Sequence, residues 1–171
     1  MKNDSRGGKC HRIQAIGIVK FCKISLAGAV LLMLCATCSA AGKVRSAFGG
    51  QLPLRVTVEP GANDDSAIAV DFVVVYDQKL LDEISKVSAA EWFSKKSRFL
   101  ADHPQELVVE AREWVPGQPV APLTLTYKIG ARKVVIFADY HSAGEHRAIV
   151  PPQQPSIVTL GETDLKVEAK P

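Results

Sequence analysis

Residues Ile68-Ala69-Val70-Asp71-Phe72-Val73-Val74-Val75-Tyr76 constrain this chain more than any other stretch. In a strand, alternate side chains point to opposite faces. One set here is Ile68, Val70, Phe72, Val74 and Tyr76. The other is Ala69, Asp71, Val73 and Val75. Both sets are largely apolar, so much of the second face is buried too, and such a strand belongs in the middle of a sheet or sandwich.

The segments around it repeat the strand signal. Leu52–Val58 alternates apolar and polar residues, with Pro53 suited to an edge or to a first strand position. Leu107–Trp114, Leu123–Tyr127, Lys133–Tyr140, His146–Val150, Ser156–Leu160 and Asp164–Val167 also read as strands. Turn residues separate them: Pro116-Gly117, Gly130, Pro151-Pro152 and Gly161-Glu162. Between the second and third strands the period changes. Leu80, Leu81, Ile84 and Val87 form a helical stripe, and Ser88 with Glu91 makes a capping box. Trp92, Phe93, Phe99 and Leu100 then recur at helical spacing, with Lys95, Lys96 and Arg98 as a solvated face. The stretch predicts two short helices or one kinked helix, ending before Pro104. The expected fold is mainly β: a two-sheet β-sandwich of about eight strands with a helical insertion over 78–103.

The first 38 residues differ from the rest. They hold all four cysteines (Cys10, Cys22, Cys35, Cys38) and six basic residues against the single acid Asp4. Ile24–Leu34 is an uncharged run of 11 residues after Lys20 and Lys23. It falls short of the roughly 20 apolar residues that span a bilayer. A basic start, a short apolar run and a small-residue tail describe a signal segment, residues 1–38. Two cleavage modes remain open. Ser39-Ala40-Ala41 offers small residues to an ordinary signal peptidase. Cys35-Ala36-Thr37 before Cys38 offers a lipobox in which Leu34 stands one place too far back. Residues 39–51 read as a tether, and 52–168 as the sandwich domain.

That domain has no cysteine, which excludes a disulfide framework, a Cys-based zinc site and a cysteine nucleophile. Beyond residue 38 the acids outnumber the bases by two, so nucleic acid is not an expected partner. Asp139, His141, Glu145 and His146 form the one cluster with metal-ligand chemistry, but a loop of solvated charge explains them as well. Glu110 and Glu113 fall on opposite faces of a strand, and Asp64-Asp65 lie in a turn. No phosphate loop or nucleophile elbow is present. No enzyme chemistry, cofactor or metal is expected, and a binding module with its contacts on loops remains.

The order of features resembles the outer-membrane lipoprotein of the type VI secretion membrane complex, the TssJ (SciN) family. The match runs over roughly residues 52–168. It comprises an opening strand (Leu54–Val58) before an acidic loop, then Val74-Val75-Tyr76 ahead of Leu80-Leu81, then Trp92-Phe93 in a helical excursion. A strand closed by Pro116-Gly117 follows, then Ala138-Asp139-Tyr140, Arg147 and a closing hairpin. The resemblance implies a transthyretin-like sandwich, acylation at Cys38, and attachment to the inner leaflet of the outer membrane, facing the periplasm. Ser39 after that cysteine is compatible with outer-membrane sorting. The resemblance also implies binding to the periplasmic domain of a TssM-like inner-membrane protein through the loop Pro60–Ser66. The contact residues would be Gly61, Asn63, Asp64 and Asp65. The soluble alternative is a periplasmic binding or chaperone-like sandwich cleaved after Ala40 or Ala41, and a third reading is a periplasmic metal-binding protein using the Asp139–His146 loop.

Overall fold

Residues 49–170 are described by the computed structural model. The signal segment, Cys38 and most of the tether lie outside the described residues. The strands are β1 (Gly50–Val58), β2 (Ile68–Val75), β3 (Leu107–Trp114), β4 (Leu123–Tyr127), β5 (Lys133–Ala138), β6 (Arg147–Val150), β7 (Ser156–Leu160) and β8 (Leu165–Ala169). Between β2 and β3 lie two helices, α1 (Gln78–Ile84) and α2 (Ala89–Asp102).

The strands form two four-stranded sheets, ordered β4-β1-β7-β8 and β3-β2-β5-β6. All neighbours are antiparallel except β1 and β7, which run parallel with Leu54 opposite Ser156 and Val58 opposite Leu160. The doubly apolar strand β2 is an inner strand, flanked by β3 and β5. Its first set of side chains (Ile68, Val70, Phe72, Val74) faces the other sheet and packs with Leu52, Leu54, Val56, Leu125, Val158 and Leu160. Its second set (Val73, Val75) packs under the helices with Leu80, Ile84, Trp92 and Phe137. The described domain therefore has three layers, and β2 is apolar on both faces because it belongs to both cores.

β1 is not an edge strand. Pro53 nevertheless has a local reason to be tolerated. Pairing with β7 begins only at Leu54, so at Pro53 the strand has β4 alone beside it. Buried and exposed residues alternate along β1 and β4, so the outer face of this sheet meets water.

The helical stretch is two helices, joined by Ser85–Ser88. Asp77 caps α1, its side chain accepting from the Leu80 N–H at 2.9 Å. Ser88 caps α2 by accepting from the Glu91 N–H at 3.3 Å. Only this half of the capping box forms, because the Glu91 carboxylate turns to Lys95 one turn on. Trp92 is completely buried, stacked on Phe137 with ring centroids 5.0 Å apart and on Phe99 at 5.5 Å. Phe93 is half-buried and Leu100 exposed, so the aromatic pair is split between core and rim.

Candidate functional site

β1 leaves the sandwich at Val58 and β2 begins at Ile68, and the loop between them is built around reversed backbone curvature. Gly61 has φ 79°, and Asn63, Asp64 and Asp65 follow with φ 52°, 54° and 57°. The left-handed region costs an L-residue roughly 1–2 kcal/mol, least for Asn and Asp. Several hydrogen bonds hold the run in place. Gly61 N–H donates to Asp65 Oδ1 at 3.0 Å, and Ser66 N–H to the Asn63 carbonyl at 3.0 Å. Asn63 reaches further. Its Nδ2 donates to the Ala67 carbonyl at 3.2 Å. Its Oδ1 accepts from the His141 N–H at 2.7 Å, and its own N–H donates to the Glu162 carbonyl at 2.9 Å. Asn63 thus joins the β1–β2 loop to the β5–β6 loop through its side-chain amide and to the β7–β8 turn through its backbone N–H. Of the four candidate contact residues, Asp64 and Asp65 are exposed. Asn63 is buried and shapes the loop from beneath, while Gly61 permits its first bend.

The β5–β6 loop is packed beside it. Tyr140 is buried, and its hydroxyl donates to the Gly161 carbonyl at 3.1 Å. Burial pushes its phenol well above the usual range, and the carboxylates of Asp164 and Glu59 push it further, so it remains a donor. His146 departs from the expected loop of solvated charge, because its ring is buried. Its φ of 43° turns the ring inward onto Tyr140, with centroids 4.9 Å apart. Nδ1 lies 3.0 Å from Asp164 Oδ1, and Nε2 lies 2.9 Å from the Ser142 carbonyl. Gly144 makes the room, since a Cβ there would sit 2.5 Å from the imidazole. Asp139, His141 and Glu145 stay exposed. Among the described residues, no three His, Cys, Asp or Glu side chains gather as a metal ion would require.

Three loops therefore close one end of the sandwich, and its surface is acidic: Glu59, Asp64, Asp65, Asp139, Glu162 and Asp164 are all exposed there. Arg147 also lies there, paired with Glu145 and donating to the Val87 carbonyl. Such a surface can attract and orient a basic partner.

One polar array was not foreseen from the sequence. Asp71 is 1% exposed on the helix side of β2. It accepts from Trp92 Nε1 at 2.8 Å and from Lys96 Nζ at 3.0 Å. Lys96 therefore leaves the solvated face assigned to it with Lys95 and Arg98, and pins α2 to the sheet. The signal was present: a carboxylate between Val70, Phe72 and Val73 needs a partner, and Trp92 and Lys96 stand one helical turn apart.

No protein-family profile matches the sequence, and no curated protein matches it. Solved structures do. The type VI secretion lipoprotein TssJ1 from Pseudomonas aeruginosa superposes with a TM-score of 0.57 at 17% identity, covering 72% of this chain and 98% of its own. The chain has the TssJ fold. Serratia marcescens Lip, a membrane-bound component of the type VI secretion system, superposes with a TM-score of 0.55 at 15% identity, covering 72% of this chain and 99% of its own. The chain thus spans almost the whole length of both structures. Among the described residues, no helix is long and apolar enough to cross a membrane.

Proposed function

We propose that this chain is the TssJ-type subunit of a type VI secretion membrane complex and has no catalytic role. Acylation at Cys38 tethers it to the inner leaflet of the outer membrane. The sandwich, in the periplasm, binds the periplasmic domain of a TssM-like inner-membrane protein. The observation that carries this reading is the match to nearly the whole length of the TssJ1 lipoprotein. The contact is assigned to Pro60–Ser66, where Asp64 and Asp65 are exposed on a loop whose shape Asn63 and Gly61 fix.

The test is binding of the purified chain to the periplasmic domain of the TssM-like protein of the same organism, by calorimetry at low salt. Asp64→Lys with Asp65→Lys is expected to weaken binding at least tenfold, mainly through slower association. Unchanged binding would remove the loop from the interface. Intact mass of the mature protein separates this reading from the soluble one. Acyl mass on Cys38 supports the tether, and a free terminus after Ala40 or Ala41 supports a soluble periplasmic binder.

A further inference from the structure

At the end of the sandwich opposite the acidic loops, the β4–β5 turn is basic, with the carboxylates of Asp77 and Glu106 at the same end on the β2 side. From Val115 to Ala138 the chain has no Asp or Glu, and its charges are Lys128, Arg132 and Lys133. The β4–β5 turn brings these three together, with Gly130 at φ 90° allowing the reversal. The turn is clamped to the end of β2. Arg132 N–H donates to the Val75 carbonyl at 2.8 Å, and Lys128 N–H donates to the Tyr76 hydroxyl at 3.1 Å. Among the described residues, none of the three cations stands in an ion pair. Ile129, at the tip, is 64% exposed, more than any other large apolar side chain described.

This turn sits where the chain enters the sandwich. Gly50 pairs with Tyr127. A Cβ on Gly49 would lie 2.8 Å from the Tyr127 carbonyl oxygen and 3.2 Å from the Ile129 nitrogen. Between Cys38 and Gly49 the sequence adds Lys43 and Arg45 and no carboxylate. Even fully extended, that segment spans no more than about 40 Å. An anchor at Cys38 therefore keeps the basic turn within about 40 Å of the bilayer, while the acidic loops lie a further β1 length away along the domain.

We propose that the β4–β5 turn is a membrane-docking surface for anionic phospholipid. Lys128, Arg132 and Lys133 meet the lipid phosphates and Ile129 enters the headgroup layer. Basic residues close to an anionic leaflet are attracted within a Debye length, and a second weak contact of this kind orients a domain that a lipid already tethers. The inference rests on the proposed tether at Cys38, and its test keeps the two apart.

The full-length protein is reconstituted on phosphatidylcholine vesicles with and without phosphatidylglycerol. Lysine acetylation rates are then read by mass spectrometry. Lys128 and Lys133 are expected to react several-fold more slowly on the anionic vesicles, while Lys86, Lys95 and Lys166 are unchanged. High salt is expected to abolish the difference, and Lys128→Glu with Arg132→Glu is expected to restore the reactivity of Lys133. Equal rates on both vesicle types would overturn the proposal and leave the turn to an acidic protein. The intact mass of the same sample reads acylation separately. If acyl mass is absent, the tether fails, while protection of Lys128 and Lys133 on anionic vesicles still supports docking and its absence overturns it.

Discussion

Asp71 offers one carboxylate oxygen to the Trp92 indole and the other to Lys96, in a strand where its neighbours are buried valines and Phe72. Asp71→Ala would leave an indole N–H and an ammonium group without their acceptor under the helix layer. The expected loss is about 2–4 kcal/mol, read from urea unfolding. Lys96→Ala is expected to cost less, because the lysine side chain is 29% exposed and water can replace it at the carboxylate. Sequence spacing placed Asp71 on the second face of its strand but could not name its partners, which come from a helix 21 and 25 positions later. Asn63 and His146 were hidden for a different reason. Both are polar residues in polar loops, and the sequence carries no sign that their side chains turn inward. That direction is set by left-handed backbone at each position and by loops that meet only after folding.

Elements were easier to read than residues. A period of two marks the strands, and the change to a helical stripe at Leu80 marks the insertion, because both are local patterns. Strand order was not local. Pro53 suited an edge strand or a first strand position, yet β1 lies inside its sheet and begins at Gly50, since its parallel neighbour β7 is supplied by the far end of the chain. Capping also acts at this scale. The Leu80 N–H, bonded to the Asp77 carboxylate, holds that group below its ordinary 3.8. A folded-state value depressed in this way contributes stability above the ordinary value and loses it as pH falls through the folded one. Asp77→Ala is therefore expected to unfold at lower urea than the wild type at pH 7. The gap between the two should shrink once the pH drops below about 4. A gap that stays constant in acid would show that the charge of the cap is not what stabilises α1.

For the whole molecule, the sandwich class was legible from regular strand spacing, whereas the helix layer over the second face of β2 was not read from it. Nor was the placing of the acidic loops and the basic β4–β5 turn at opposite ends, because it depends on which turns share an end. Topology also predicts folding behaviour. With Leu54 opposite Ser156, the sheet β4-β1-β7-β8 cannot close until nearly the whole chain is present. Refolding is expected in milliseconds to seconds, as for other sheets built from distant pairings, and stopped-flow fluorescence of the two tryptophans reads it. A chain ending at Gln154 lacks β7 and β8 and loses Val158, Leu160 and Leu165 from the core. It is expected to show no cooperative unfolding transition by circular dichroism.

β1 begins at the tether and ends at the Pro60–Ser66 loop, paired with β4 over Gly50–Leu54 and with β7 over Leu54–Val58. A pull between a lipid-held N-terminus and a partner gripping that loop would run along a single strand. Because the load would enter and leave on β1, its covalent backbone would carry it, and no ladder would have to be unzipped. The same strand that carries the chain into the sandwich would then serve as its tension member.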